Sequence, residues 1–129
     1  MRPFALLILL AALAGCGRAD DERAVSAVTE TFLAARAAGD GERACAQLSP
    51  ETASTLADDE GEPCDEAVTG LQLARSAVER AAVFGIGAKV DLAGGDSYFL
   101  ELTREGWRIS AAGCQPAPPD EPYDCEVEA

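Results

Sequence analysis

Five cysteines and no histidine set the range of chemistry open to this chain of 129 residues. Without histidine the commonest general base is missing, and with it the serine and cysteine triads that depend on it and most zinc sites. Cys16 stands apart near the N-terminus, leaving Cys45, Cys64, Cys114 and Cys125 as an even set that reads as two disulfides in an oxidising compartment. Three pairings are open. The sequential one is favoured, because Cys45 and Cys64 bracket a helix and an acidic loop, while Cys114 and Cys125 bracket a proline-rich segment with no core of its own. A four-cysteine zinc site fits poorly, since the intervals of 18, 49 and 10 residues contain no C-x-x-C pair. The carboxylates of Asp58-Asp59-Glu60-Gly61-Glu62 invite a calcium reading, but an EF-hand needs glycine sixth and glutamate twelfth, where Pro63 and Thr69 stand. A solvated loop is expected there, and neither a metal nor a cofactor.

The N-terminus says where these thiols go. Met1-Arg2-Pro3 is a short positive leader, followed by an apolar run from Phe4 to Ala14 that is shorter than the roughly 20 residues a membrane span requires. The pattern is that of a cleaved secretory signal. Leu13-Ala14-Gly15-Cys16 resembles the lipobox of bacterial lipoproteins, and the resemblance implies that Cys16 is lipidated and becomes the first mature residue. Residues 1–15 are then signal peptide, 16–20 the lipidated cysteine and a short tether, and 21–129 one α+β domain. A two- or three-chain lipid holds such a domain permanently, each buried methylene adding about 0.8 kcal/mol. The expected location is the outer face of the cytoplasmic membrane, with the membrane itself as partner. With 10 basic and 23 acidic residues the formal charge is −13, and loss of Arg2 with the signal makes the mature chain more acidic still. Such a surface repels nucleic acid, and Lys89, the single lysine, cannot form a basic stripe.

The elements divide into a helical half and a sheet half. Val25, Val28, Phe32 and Ala35 recur at helical spacing over Asp21 to Ala38, with Gly39 as the stop. Asp40 caps a second short helix running through Leu48, and Ser49-Pro50-Glu51 opens a third that reaches about Leu56. Residues 65–82 mix two periods, giving helix to Leu73 and strand from Val78 to Phe84. An odd-length loop at Gly94-Gly95-Asp96 places Leu92 opposite Tyr98, Val90 opposite Leu100, Ala88 opposite Leu102 and Lys89 opposite Glu101. A two-residue turn at Glu105-Gly106 then pairs Leu102 with Ile109 and Leu100 with Ala111. The buried face is Ala88, Val90, Leu92, Tyr98, Leu100, Leu102, Trp107, Ile109 and Ala111, covered by the first helix. The proline-rich stretch from Gln115 to Asp124 is expected as a stiff loop closed by Cys114 and Cys125, with Tyr123 packing back on the sheet.

Gly106-Trp107-Arg108-Ile109-Ser110-Ala111-Ala112-Gly113-Cys114, with Pro122-Tyr123-Asp124-Cys125, resembles the ending of lipoproteins from high-GC actinobacteria. Their bodies are similar to the nuclear-transport-factor-two-like, or cystatin-like, α+β roll. The resemblance implies N-terminal helices on a curved antiparallel sheet forming a cone, which serves in some members as an enzyme pocket and in others as a binding or dimerising surface. Tyr98 is the one titratable side chain aimed at the middle of the inner face, and a lone phenol near pKa 10 makes a poor acid or base. Glu30, Glu79 and Asp91 are the carboxylates that could join it. The leading expectation is a non-catalytic binding or interaction module, with no catalytic residue assigned. Phe32, Tyr98 and Trp107 are its pocket candidates, and Phe99, on the outer face, is its candidate contact to a second copy or an envelope protein. The alternative is an enzyme of the polyketide-cyclase or ketosteroid-isomerase type.

Overall fold

The computed structural model describes residues 3–117 and 122–129. Four helices pack on one five-stranded antiparallel sheet, as α1 (Pro3–Ala37), α2 (Gly41–Cys45), α3 (Pro50–Glu60), α4 (Cys64–Gly70), β1 (Val78–Phe84), β2 (Gly87–Leu92), β3 (Ser97–Thr103), β4 (Gly106–Gln115) and β5 (Asp124–Glu128). The strands are neighbours in chain order. This is the expected α+β architecture, and both sequential disulfides, Cys45–Cys64 and Cys114–Cys125, are formed. No described helix is long and apolar enough to cross a membrane.

Helix α1 begins well before the expected Asp21, because alanine and leucine dominate the preceding run and its glycines cost only about 1 kcal/mol each. Residues 16–20, expected as a tether, are therefore helical. Its inward face carries Val25, Thr29, Phe32 and Ala35, all buried. Thr29 fits among them because its hydroxyl donates to the Val25 carbonyl at 2.9 Å. Gly39, at φ +72°, takes the left-handed conformation that ends the helix.

The short helices are set by their caps. Asp40 accepts from the Arg43 amide at 3.1 Å to start α2, which stops at Cys45 rather than reaching Leu48. Ser49 accepts from the Thr52 amide at 3.2 Å to start α3. Helix α3 outruns the expected end at Leu56, since nothing through Asp58, Asp59 and Glu60 breaks it before Gly61 at φ +67°. The acidic stretch is thus mostly a last helical turn, with its carboxylates in solvent. Helices α2 and α4 approach so closely that a Cβ on Gly41 would overlap the Asp65 backbone carbonyl. The Cys45–Cys64 bond fastens this same pair. Helix α4 ends at Gly70, three residues short of the expected Leu73, where Leu71 turns extended.

Strand β1 spans the expected residues. The β2–β3 loop is odd in length, as expected, but one position earlier: Leu92 donates its amide to the Asp96 carbonyl at 2.8 Å, leaving Ala93-Gly94-Gly95 as the loop. Gly94 and Gly95 adopt φ +97° and +107°, so the two glycines occupy the positions that need them. The pairs become Val90 with Tyr98, Ala88 with Leu100 and Lys89 with Phe99. The β3–β4 turn also falls one residue early, at Arg104-Glu105. The Thr103 hydroxyl closes it by donating to the Gly106 carbonyl at 2.8 Å. Leu102 then faces Trp107 and Leu100 faces Ile109, and an irregularity at Phe99 sets that residue against Ala111. A slip of two pairs keeps side chains on their own faces as far as Ile109, where the irregularity turns Ala111 to the outer face beside Phe99 and Ala112 takes its place in the core; the rest of the expected inner face is buried. Leu102 is the exception at 46% exposure, because it sits at the strand end beside the β1–β2 turn, where its amide donates to the Ile86 carbonyl.

Strand β5 was not expected. Cys125 lies opposite Cys114 in the ladder, so the disulfide crosslinks two paired strands rather than the ends of a free loop. Residues 118–121, in the middle of the proline-rich stretch, lie outside the described residues. The remaining edge of β4 is covered by Gln47 to Ser49, through Ile109 amide to Gln47 carbonyl and Ser49 amide to Ile109 carbonyl, both 2.8 Å.

Candidate functional site

Tyr98 and Phe32 meet at the helix–sheet interface, edge to face with ring centroids 5.9 Å apart. Both are fully buried, and Trp107 nearly so. The Tyr98 hydroxyl has no hydrogen-bond partner among the described residues. Burial pushes its phenol above the ordinary value, with nearby Arg36 pulling the other way. None of the three carboxylates that could have joined it does so: Glu30 and Glu79 are exposed, and Asp91 points to the opposite face of the sheet. Asp96, half-buried at the strand end, is the carboxylate whose charge acts on Tyr98, and it raises the phenol's pKa further.

The outer face of the sheet is a small polar cluster. Lys89 lies 3.2 Å from Asp91, not opposite Glu101 as expected, and 5.3 Å from the Tyr123 ring centroid. Ser97 donates to Asp91 at 2.8 Å. Burial opposes ionisation of Asp91, but the Ser97 and Lys89 hydrogen bonds outweigh it and hold the carboxyl below its usual range. Phe99 is on this face as expected, with its ring packed edge-on to Tyr123 at 5.0 Å. Tyr123 does pack back on the sheet, and in doing so covers part of the surface that Phe99 would offer a partner.

A further cavity lies elsewhere. A groove of about 640 Å³ runs between the C-terminal turns of α1 and the extended segment after α4. Leu33, Leu71 and Leu73 supply its apolar wall, Thr69, Gln72 and Ser76 its neutral polar groups, and Arg36 and Arg75 its charge. No carboxylate lines it, in a chain with 23 of them. Arg36 is anchored by two backbone carbonyls, its Nε donating to Val68 at 3.0 Å and its Nη2 to Leu71 at 2.6 Å. These are carbonyls at the end of α4 that no later helical turn can satisfy, so the arginine caps α4 and fixes the path of the groove wall. The guanidinium also lies over the Phe32 ring, 5.9 Å from its centroid. Burial lowers the Arg36 pKa, and the like charge of Arg75 adds to the effect. Neither arginine has an ion-pair partner among the described residues.

Sequence reading missed this site. Arg36 carries no local signal at the end of a helix, and Arg75 falls in the stretch where helical and strand periods overlap. Their meeting depends on where α4 ends, which the pattern placed three residues too late.

The groove and Cys16 lie toward opposite ends of the fold. The Trp107 indole Nε1 donates to Asp21 at 3.2 Å, placing the early part of α1 beside the β3–β4 turn, while Arg36 lies one helix length away. From residue 16 to residue 36 the rise of α1 is about 30 Å. No protein-family model, curated protein or solved structure matches this chain.

Proposed function

We propose that the chain is a non-catalytic binding module of the cell envelope, tethered by a lipid on Cys16 to the outer face of the cytoplasmic membrane, and that its ligand site is the Arg36–Arg75 groove. The observation that carries this reading is a pair of arginines, without ion-pair partners among the described residues, on a mostly polar groove that also offers Leu33, Leu71 and Leu73, in a chain of charge −13. A surface so acidic gains nothing in solubility from two clustered cations, whereas a ligand with an anionic head and an apolar body would be held by both parts of the site. Two disulfides support an oxidising, extracytoplasmic setting. Helices on one antiparallel sheet are compatible with the nuclear-transport-factor-two-like roll, and on this reading the module uses a flank of that roll rather than its interior. The enzyme alternative is disfavoured by the isolation of Tyr98 from any buried carboxylate.

The test is titration of the mature protein with octanoate and with octylammonium, which share a chain and differ in charge. Binding of octanoate alone, lost in Arg75→Glu, is the expected result. Equal binding of both, or of neither, would sink the proposal.

A further inference from the structure

Three large apolar side chains stand in solvent at one end of the sheet. Phe84 is 69% exposed, Ile86 75% and Leu102 46%. Phe84 and Ile86 flank Gly85 at the tip of the β1–β2 hairpin, where φ of +63° makes the tight turn. Leu102 joins them because its backbone amide donates to the Ile86 carbonyl at 2.8 Å. They form an apolar ridge at the end of the sheet that spans both its faces, since Phe84 shares the face of Gly87 and Glu101 while Leu102 shares that of Leu100.

The position of the ridge indicates what it meets. Leu102 pairs across the ladder with Trp107, and Trp107 holds Asp21 of α1. Asp21 is five residues beyond Cys16 on the same continuous helix, an axial rise of about 7.5 Å. The apolar ridge and the residue read as the lipid attachment point therefore lie toward the same end of the molecule. We propose that Phe84, Ile86 and Leu102 dock in the headgroup–acyl boundary of the bilayer that holds the lipid on Cys16, as a second, non-covalent contact that orients the domain.

This inference rests on the lipid-anchor reading. An acyl chain on Cys16 brings the ridge to the interface at no further cost in translational freedom, and side chains buried about 5–10 Å into that boundary lose their contact with water. Asp21, Glu22 and Glu101 share this end with Arg104 and Glu105, so no basic patch is available to recognise anionic headgroups. The contact is apolar, and zwitterionic lipid suffices. Docked in this way, the domain points the Arg36–Arg75 groove away from the membrane.

The experiment uses the full chain, processed in a host that acylates lipoproteins, carrying Ile86→Trp and reconstituted in phosphatidylcholine vesicles with brominated acyl chains. Native Trp107 is the internal reference. Emission of the variant is expected to be quenched several-fold more than that of the parent, and Phe84→Trp should behave alike. Intact mass is measured on the same sample. An acylated chain whose added tryptophans are quenched no more than Trp107 overturns the docking and leaves the anchor standing, whereas a chain without acyl mass on Cys16 overturns both.

Discussion

The indole of Trp107 reaches Asp21 across 86 residues of sequence, an Nε1 to Oδ1 hydrogen bond of 3.2 Å that fastens the first helix to the start of β4. It is the side-chain link that fixes how the N-terminal part of α1 sits on the sheet. Because both groups are partly shielded, Asp21→Ala should cost about 1 kcal/mol. A urea titration of parent and variant checks it, with an unchanged midpoint counting against this role for the bond.

Tyr98 buries a hydroxyl that has no partner among the described residues, so removing it should not weaken the fold. Tyr98→Phe is expected to be neutral or to stabilise by up to about 1 kcal/mol. The pH dependence has a definite sign. Burial raises the folded-state pKa above the unfolded value near 10, so the parent keeps full stability below pH 10 and loses it above, where only the unfolded chain ionises. Denaturant midpoints at pH 8 and pH 11 should therefore diverge in the parent and diverge less in Tyr98→Phe.

Gly41 is required by proximity rather than by conformation, since a Cβ there would overlap the Asp65 backbone. Helices α2 and α4 would have to separate against the Cys45–Cys64 bond that joins them. Gly41→Ala should destabilise by about 2 kcal/mol, well beyond an ordinary surface substitution. Thermal unfolding of the oxidised protein measures it, and a shift as small as that of Gly70→Ala, where a Cβ meets open space, would contradict the packing.

Replacing Cys114 and Cys125 together by serine should cost about 3 kcal/mol in the loop-closure picture. The loss should be local in its first effect. Amide exchange at Asp124 to Glu128 is expected to accelerate by more than tenfold while Val90, Tyr98 and Ile109 stay protected, because β5 touches the sheet only at β4. Uniform loss of protection would show that β5 is integral to the core.

Much of this architecture is legible before any coordinates. Capping residues such as Ser49 and Asp40 announce their helices because their side chains have one obvious local partner each. The inner face of the sheet is legible as far as Ile109 because parity survives a slip of two, although Val90 meets Tyr98 rather than Leu100; it is lost at Ala111, which the irregularity in the ladder turns outward. The register itself is less legible. It depends on which glycines take positive φ, and a Gly-Gly-Asp run offers two placements of equal length. The groove is illegible for a different reason: Arg36 caps a helix 32 residues away, and nothing local marks an arginine for that task. The strand β5 hides in a short acidic tail whose one inward residue is Val127.

The two segments that cover the far edge of β4 are each held by a crosslink, Gln47 to Ser49 just after Cys45 and β5 through Cys125. The two bonds therefore add a covalent hold to segments that hide a row of backbone donors and acceptors on β4. A reduced copy would present that row as a template on which a second copy could add a strand. In the oxidised chain both covers of β4 are thus tied covalently to the body of the fold.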